Sequence, residues 1–253
     1  MCPALPALAG EVLVAAAANI AIPLQQMAAT FTQDTGHSLR IVSGATAKFA
    51  QQVRAGAPFQ VLLAADSATP AQLVADGQAV KGSAFTYAIG RLVLWSARPG
   101  WVDAEGQVLA KGAFNHLAIA QPKTAPYGAA AMQVLRARGL EAALTPRLVT
   151  GESVAQAWQY VHSGQAELAL LALSQITRPG QAPVGSHWLV PAQLHDPIRQ
   201  DAVLLLPGRD QPAALALLAW LKAPATQTLL RAWGYESPQG LTTAAAPAAA
   251  SRP

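Results

Sequence analysis

The chain has 253 residues, enough for one large domain or two medium ones, and with 52% of them hydrophobic either arrangement can fill its cores. Charged residues make up 12%, and the formal net charge of +4 comes from scattered Lys and Arg with no basic run or interleaved aromatic stripe, which argues against a nucleic-acid partner. The single cysteine, Cys2, stands near the start, so the body holds no thiol for an internal disulfide, a cysteine nucleophile or a thiolate metal site, a composition that suits an oxidising compartment.

No stretch reaches the roughly 18 to 20 uninterrupted apolar residues that span a bilayer, so the chain is expected not to be membrane-embedded. Ala7-Leu8-Ala9 before Gly10 reads as the end of a secretory leader over residues 1–9, the alternative being an ordinary alanine-rich terminus. EVLVAAAAN then reads as a buried strand. AIPLQQMAATFTQDTG reads as an amphipathic helix with Pro23 in its first turn and Gly36 just past its end, and SLRIVSG as the next strand. After a loop come a helix through KFAQQVRAG, a strand FQVLLAAD and a helix TPAQLVADG with Pro70 at its start. This βαβαβα run predicts a mostly parallel sheet flanked by helices, which binds ligands beyond the carboxyl ends of its strands. The loops at Ala18-Asn19 and Gly44 to Ala47 both belong there.

The second of these loops, SGATAKF, has a glycine and a lysine at a helix start but is not a phosphate-cradling P-loop. Lys48 follows Gly44 by four residues, Ala47 stands where the second glycine belongs, and Phe49 replaces the magnesium-binding hydroxyl. What remains is a set of hydroxyl and amide donors at a helix N-terminus, where an anion is favoured. Taken alone, the loop reads first as a Thr46 N-cap with no ligand.

The second half repeats the alternation. After a crossing segment YAIGRLVLWSA come a strand HLAIAQ, a loop PKTAPYG, a helix AAAMQVLRARG, a short strand near RLVT, a loop GES, a helix VAQAWQYVHSG and a strand AELALLAL. RQDAVLLLP reads as a second crossing strand, and the helices QPAALALLAWLKA and PATQTLLRAWG finish the fold. Two α/β lobes joined by two crossing strands make a hinged clamshell with a cleft between them. The expected division is residues 10–87 plus 201–236 for lobe 1 and 88–200 for lobe 2, with the Ala/Pro-rich residues 237–253 as a disordered tail.

The runs AAAANIAIPLQQMAATF, SGATAKFAQQVRAGAPFQVLLAAD, APYGAAAMQVL, GESVAQAW, LALSQI and LLRAWGYE, in this order and over Val12 to Glu236, resemble the periplasmic molybdate-binding proteins of ABC transporters. The resemblance implies a two-lobed periplasmic-binding-protein fold of type II. It implies an exported, monomeric, extracytoplasmic protein that takes molybdate or tungstate into the interlobe cleft and delivers it to membrane permease subunits, with no cofactor and no metal bound except as the oxyanion.

The resemblance also implies a ligand set. Asn19 supplies a side-chain donor and Ala18, where many members carry a hydroxyl, at most a backbone amide. Thr46 supplies a hydroxyl, with a neighbouring amide such as that of Ala45 beside it; Tyr127 supplies its phenol or its amide, and Val154 an amide only. Two departures stand out. The position matching a second tyrosine of some members is Ala172, and Gln60 stands where the family often has Asp, which reads as structural.

The chemistry suits this inventory, because molybdate is a dianion with four acceptor oxygens and no proton to donate, so its site needs donors and is harmed by a carboxylate. Glu152, two residues before Val154, is therefore expected to point to solvent. A sulfate-binding protein is the alternative within the binding class, and a periplasmic enzyme outside it. For the enzyme the residues offer little: His37, His116, His162, His187 and His195 have no ligand-like helical spacing and sit in no candidate loop, and no G-x-S-x-G or H-E-x-x-H occurs.

Overall fold

The computed structural model describes residues 9–112 and 114–238. Cys2 and all of the expected leader except Ala9 lie outside the described residues, as does the expected tail beyond Pro238.

The chain opens with β1 (Glu11–Ala17), α1 (Ala18–Thr35), β2 (Ser38–Gly44), α2 (Thr46–Arg54), β3 (Val61–Leu63), α3 (Ala68–Ala75) and β4 (Phe85–Gly90). A second group follows with β5 (Leu92–Ser96), α4 (Val108–Lys111), β6 (Leu117–Ala120), α5 (Pro126–Ala137), α6 (Glu141–Leu144), β7 (Leu148–Gly151), α7 (Val154–His162), β8 (Leu168–Ala172), α8 (Leu173–Ile176) and β9 (Ser186–Leu189). The chain then returns with β10 (Ile198–Leu204), α9 (Pro212–Lys222) and α10 (Pro224–Ala232).

Two five-stranded sheets result, ordered β2-β1-β3-β10-β4 and β7-β6-β8-β5-β9. In the first, β10 runs against β3 and β4, and in the second, β5 runs against β8 and β9; the remaining neighbours are parallel. The molecule is thus a two-lobed α/β fold of two mixed sheets flanked by helices. The central strands explain the apolar runs: β1 packs against α1, α2 and α9, and β8 against α5 and α7, so both faces are covered and polar alternation vanishes.

Two local readings are corrected. The segment YAIGRLVLWSA is not one crossing strand but β4 in one sheet and β5 in the other, with Arg91 between them. Pro23 is not in the first turn of its helix, because α1 begins at Ala18 directly from β1 and carries Pro23 inside it. An interior proline withholds the N–H that would bond the carbonyl four residues back, here that of Asn19. That carbonyl instead accepts from Ser174 Oγ at 2.9 Å and from the Tyr235 hydroxyl at 2.9 Å. The interruption is therefore satisfied from outside the helix.

The ends of strands and starts of helices meet closely. Ala17 is paired with Gly44 at the carboxyl ends of β1 and β2, and Ala120 with Gly151 at those of β6 and β7. In α5 the first turn lies so near β6 that a Cβ on Gly128 would stand 2.2 Å from the Ala120 carbonyl oxygen. Backbone cannot step aside as a flexible side chain can. Gly128→Ala is therefore expected to destabilise the protein by about 1–3 kcal/mol as an overpacking change, read from urea unfolding, even though alanine is the better helix former.

Candidate functional site

A helix leaves its first N–H groups without intrahelical partners, and Ser, Thr, Asp or Asn at the N-cap commonly satisfies one of them. α1, α2 and α5 depart from this: their N-caps are Ala17, Ala45 and Ala125, none with a side-chain cap. α7 is capped by Ser153, whose side chain accepts from Gln156 N. The four N-termini converge, two from each sheet, on one cavity lined by Ala18, Asn19, Ala45, Thr46, Tyr127 and Val154 together with Ala17, Ser153 and others. All six residues nominated from sequence thus face a common space, and each is buried.

The cavity is tight. Room for the centre of a water-sized sphere amounts to about 10 Å³. A roomier part of the cleft, about 400 Å³, adjoins it through Ala65, Ala125 and Pro126, but its walls include Asp66 and Asp196 beside Lys123 and Arg199. Carboxylates are acceptors that repel an anion, whereas among the described residues no Asp or Glu lines the small cavity. For an oxyanion the small cavity is the better match.

The side chains divide more sharply than their positions suggest. Thr46 Oγ1 accepts the Ala65 N–H at 3.0 Å, which leaves its own proton to donate. It is the first residue of α2, not the N-cap. Asn19 corrects the sequence expectation: its Nδ2 donates to Gln200 Oε1 at 2.8 Å and to the Tyr235 hydroxyl at 3.0 Å, so both amide protons are engaged inside the protein. What it offers the cavity is its backbone N–H in the first turn of α1. The Tyr127 phenol oxygen accepts from Gln200 Nε2 at 2.9 Å, which ties that end of the side chain to β10 without using the phenol's own proton, and its amide lies in the first turn of α5. Val154 is buried by its side chain and begins α7 with its amide.

Glu152 is exposed, as expected, but is not free. Its carboxylate meets Lys48 Nζ at 2.7 Å across the cleft, with side-chain exposures of 72% and 46%. Ala47 N also donates to the Thr124 carbonyl at 3.4 Å, so the lobes touch on both sides of the loop. Lys48, which fits no P-loop, thus pairs with the opposite wall.

Sequence reading missed a buried polar cluster behind the cavity. Gln200, between Arg199 and Asp201 in β10, accepts at Oε1 from Tyr87 as well as from Asn19. Tyr87, Tyr127 and Tyr235 are all buried, and loss of solvent, reinforced by neighbouring tyrosine for the first two, pushes their phenols up, so they stay neutral at physiological pH. Gln200 stands in the polar run Arg199-Gln200-Asp201, so nothing in the local pattern marked it as buried. Ala172 is fully buried and brings no hydroxyl. Gln60 is structural: its Oε1 accepts the Leu13 N–H at 2.9 Å. His37 accepts the Gly10 N–H and His162 stacks on Trp158; among the described residues no group of His, Cys, Asp and Glu is placed to hold a metal.

Residues 12–236 match the family described as bacterial extracellular solute-binding protein. The chain is 53% identical over 227 residues to the molybdate-binding protein ModA of Azotobacter vinelandii, covering 90% of each chain. It is 47% identical over 233 residues to the molybdate-binding protein ModA of Rhodobacter capsulatus, covering 92% of this chain and 90% of that one. The solved structure of the Azotobacter vinelandii periplasmic molybdate-binding protein superposes with a TM-score of 0.87 at 42% identity, over 90% of this chain and 100% of that one. With nearly all of its described length matched, and helix N-termini of two lobes facing one cleft, the chain belongs to the bacterial extracellular solute-binding proteins.

Proposed function

We propose that this protein captures molybdate, and tungstate, between its lobes in the periplasm and delivers it to the permease of an ABC transporter, without transforming it and without a cofactor. The observation that carries the reading is the convergence of four helix N-termini on a cavity with no carboxylate in its walls. The protein acts as a monomer exported by an N-terminal signal. Its lobes are residues 10–87 with 201–236, and residues 88–200, with β4 and β10 of the first sheet running across the two boundaries so that residues 88–90 and 198–200 pair in that sheet.

The first-turn amides of α1 and α2, with Ala18 and Ala45 at the junctions, hold one side of the tetrahedron, and those of Tyr127 and Val154 the other. The Thr46 hydroxyl donates from the first side. Four helix dipoles stabilise the dianion without a formal countercharge, which avoids desolvating an Arg pair and eases release. Small residues at the cavity wall let the helix starts approach closely, and amides fixed on helices select their ligand by the size of the tetrahedron. For an enzyme reading the cavity wall offers the hydroxyls of Thr46 and Ser153, but among the described residues no His, Asp, Glu or Cys lines it to activate them.

Molybdate and tungstate are expected to raise the melting temperature where equal sulfate and phosphate do not. At about 100 times the dissociation constant the gain is about 2.7 kcal/mol of stability. Equal stabilisation by sulfate would reject molybdate as the preferred substrate.

Thr46→Val removes a hydrogen bond to a charged group and is expected to weaken molybdate binding by roughly tenfold to more than a hundredfold in calorimetric titration. It also strands the Ala65 N–H, so the ligand-free protein loses about 1–3 kcal/mol. Thr46→Ser keeps both bonds and serves as the control. Wild-type affinity in Thr46→Val would remove the hydroxyl from the site.

The Lys48 and Glu152 pair is exposed on both sides, which limits it to about 1 kcal/mol or less. Lys48→Met is therefore expected to lower affinity by less than about fivefold, with the difference disappearing as salt is raised.

A further inference from the structure

Gln200 lies on β10, the strand by which the chain re-enters the first sheet, and has no exposed surface. The pairing of β10 with β4 shifts register between Gln200 and Asp201. Its carboxamide reaches both walls of the cleft at once. Oε1 accepts from Asn19 Nδ2 at 2.8 Å, in the first turn of α1, while Nε2 donates to the Tyr127 phenol at 2.9 Å, in the first turn of α5. The space for this bridge exists because residue 90 is glycine. A Cβ there would stand 2.1 Å from the Tyr127 phenol oxygen and 2.5 Å from Gln200 Nε2. Asn19 is held from behind as well, by Tyr235 on its side chain and by Ser174 on the carbonyl that Pro23 leaves without an intrahelical donor.

We propose that Gln200 is a positioning residue for oxyanion capture: from the crossing strand it fixes the separation of the α1 and α5 N-termini, and so the size of tetrahedron that their amides fit. The proposal rests on the molybdate reading above. A carboxamide suits the task because it accepts at one end and donates at the other while carrying no charge. Leucine has similar bulk and neither function, and glutamate would bury an anion behind an anion site. With the bridge gone, α5 is no longer tied to α1 through the hinge strand, so bound ligand escapes faster and the preference for the larger anion weakens.

The test compares wild type, Gln200→Leu, Tyr127→Phe and the double variant, titrated with molybdate and with sulfate, with dissociation rates from stopped flow. Each single change is expected to weaken molybdate binding by about tenfold, mostly through faster dissociation. The double variant is expected to bind no worse than Gln200→Leu alone, because the bond that Tyr127→Phe removes is already lost there, together with those to Asn19 and Tyr87. The ratio of molybdate to sulfate affinity narrows in each. Variants that melt lower yet bind molybdate with wild-type affinity, rate and selectivity would make Gln200 purely structural and overturn the proposal. Additive losses in the double variant would overturn it too. If Gln200→Leu does not fold, Tyr127→Phe keeps the ring packing and decides alone by the same readouts. A wild-type protein that takes up no molybdate overturns the functional reading and this proposal together, whereas tight wild-type binding with unaltered variants overturns this proposal alone.

Discussion

The unsatisfied N–H groups at the starts of α1, α2, α5 and α7 set the terms for the rest of the molecule. A buried donor without a partner costs about 1–3 kcal/mol, and ordinary helices avoid that cost with a capping side chain or with water. Here three of the four caps are alanine, and the donors face a cavity shared between two lobes. Their satisfaction is left to whatever enters the cleft, and four positive dipole ends dictate that it be an anion.

The two sheets serve this arrangement. Helices can aim their N-termini at one point only if they follow strands that end at one edge, and parallel pairing of β1 with β2 and of β6 with β7 supplies that edge in each lobe. One reversed strand per sheet then lets the chain change lobes twice at the hinge side. Close approach is made possible by small residues: alanines at the strand ends, Gly128 under the α5 turn and Gly90 beside the phenol of Tyr127. Side chains larger than these would hold the walls apart.

Behind the cavity a second polar layer keeps the donors in place. Asn19, Gln200, Tyr87, Tyr127, Tyr235 and Ser174 bond to one another or to nearby backbone and are all buried. Buried polar groups are tolerated when they are partnered, and a connected network is rigid as well as satisfied. The tight fit in front and the rigid network behind belong to one design, since fixed amides discriminate by size only if nothing lets them follow a smaller ligand.

Much of this was legible in the residues. Alternating strand and helix patterns gave the two-lobed α/β fold, because periodicity and turn residues act over a few neighbours. The loops at Ala18-Asn19, Ala45-Thr46, Tyr127 and Val154 were legible as a group through a family resemblance, and all of them line one cavity. The split of the crossing segment at Arg91 and the interior place of Pro23 were not, because apolar runs carry no mark of which sheet they join or where a strand turns directly into a helix. Above all, the resemblance pointed to the Asn19 side chain as a donor and left Tyr127 open between phenol and amide. Their side chains are engaged by partners 181, 216 and 73 positions away. A polar side chain at a helix start can turn outward to a ligand or inward to the core, and only the long-range partners that the fold brings behind it decide between the two.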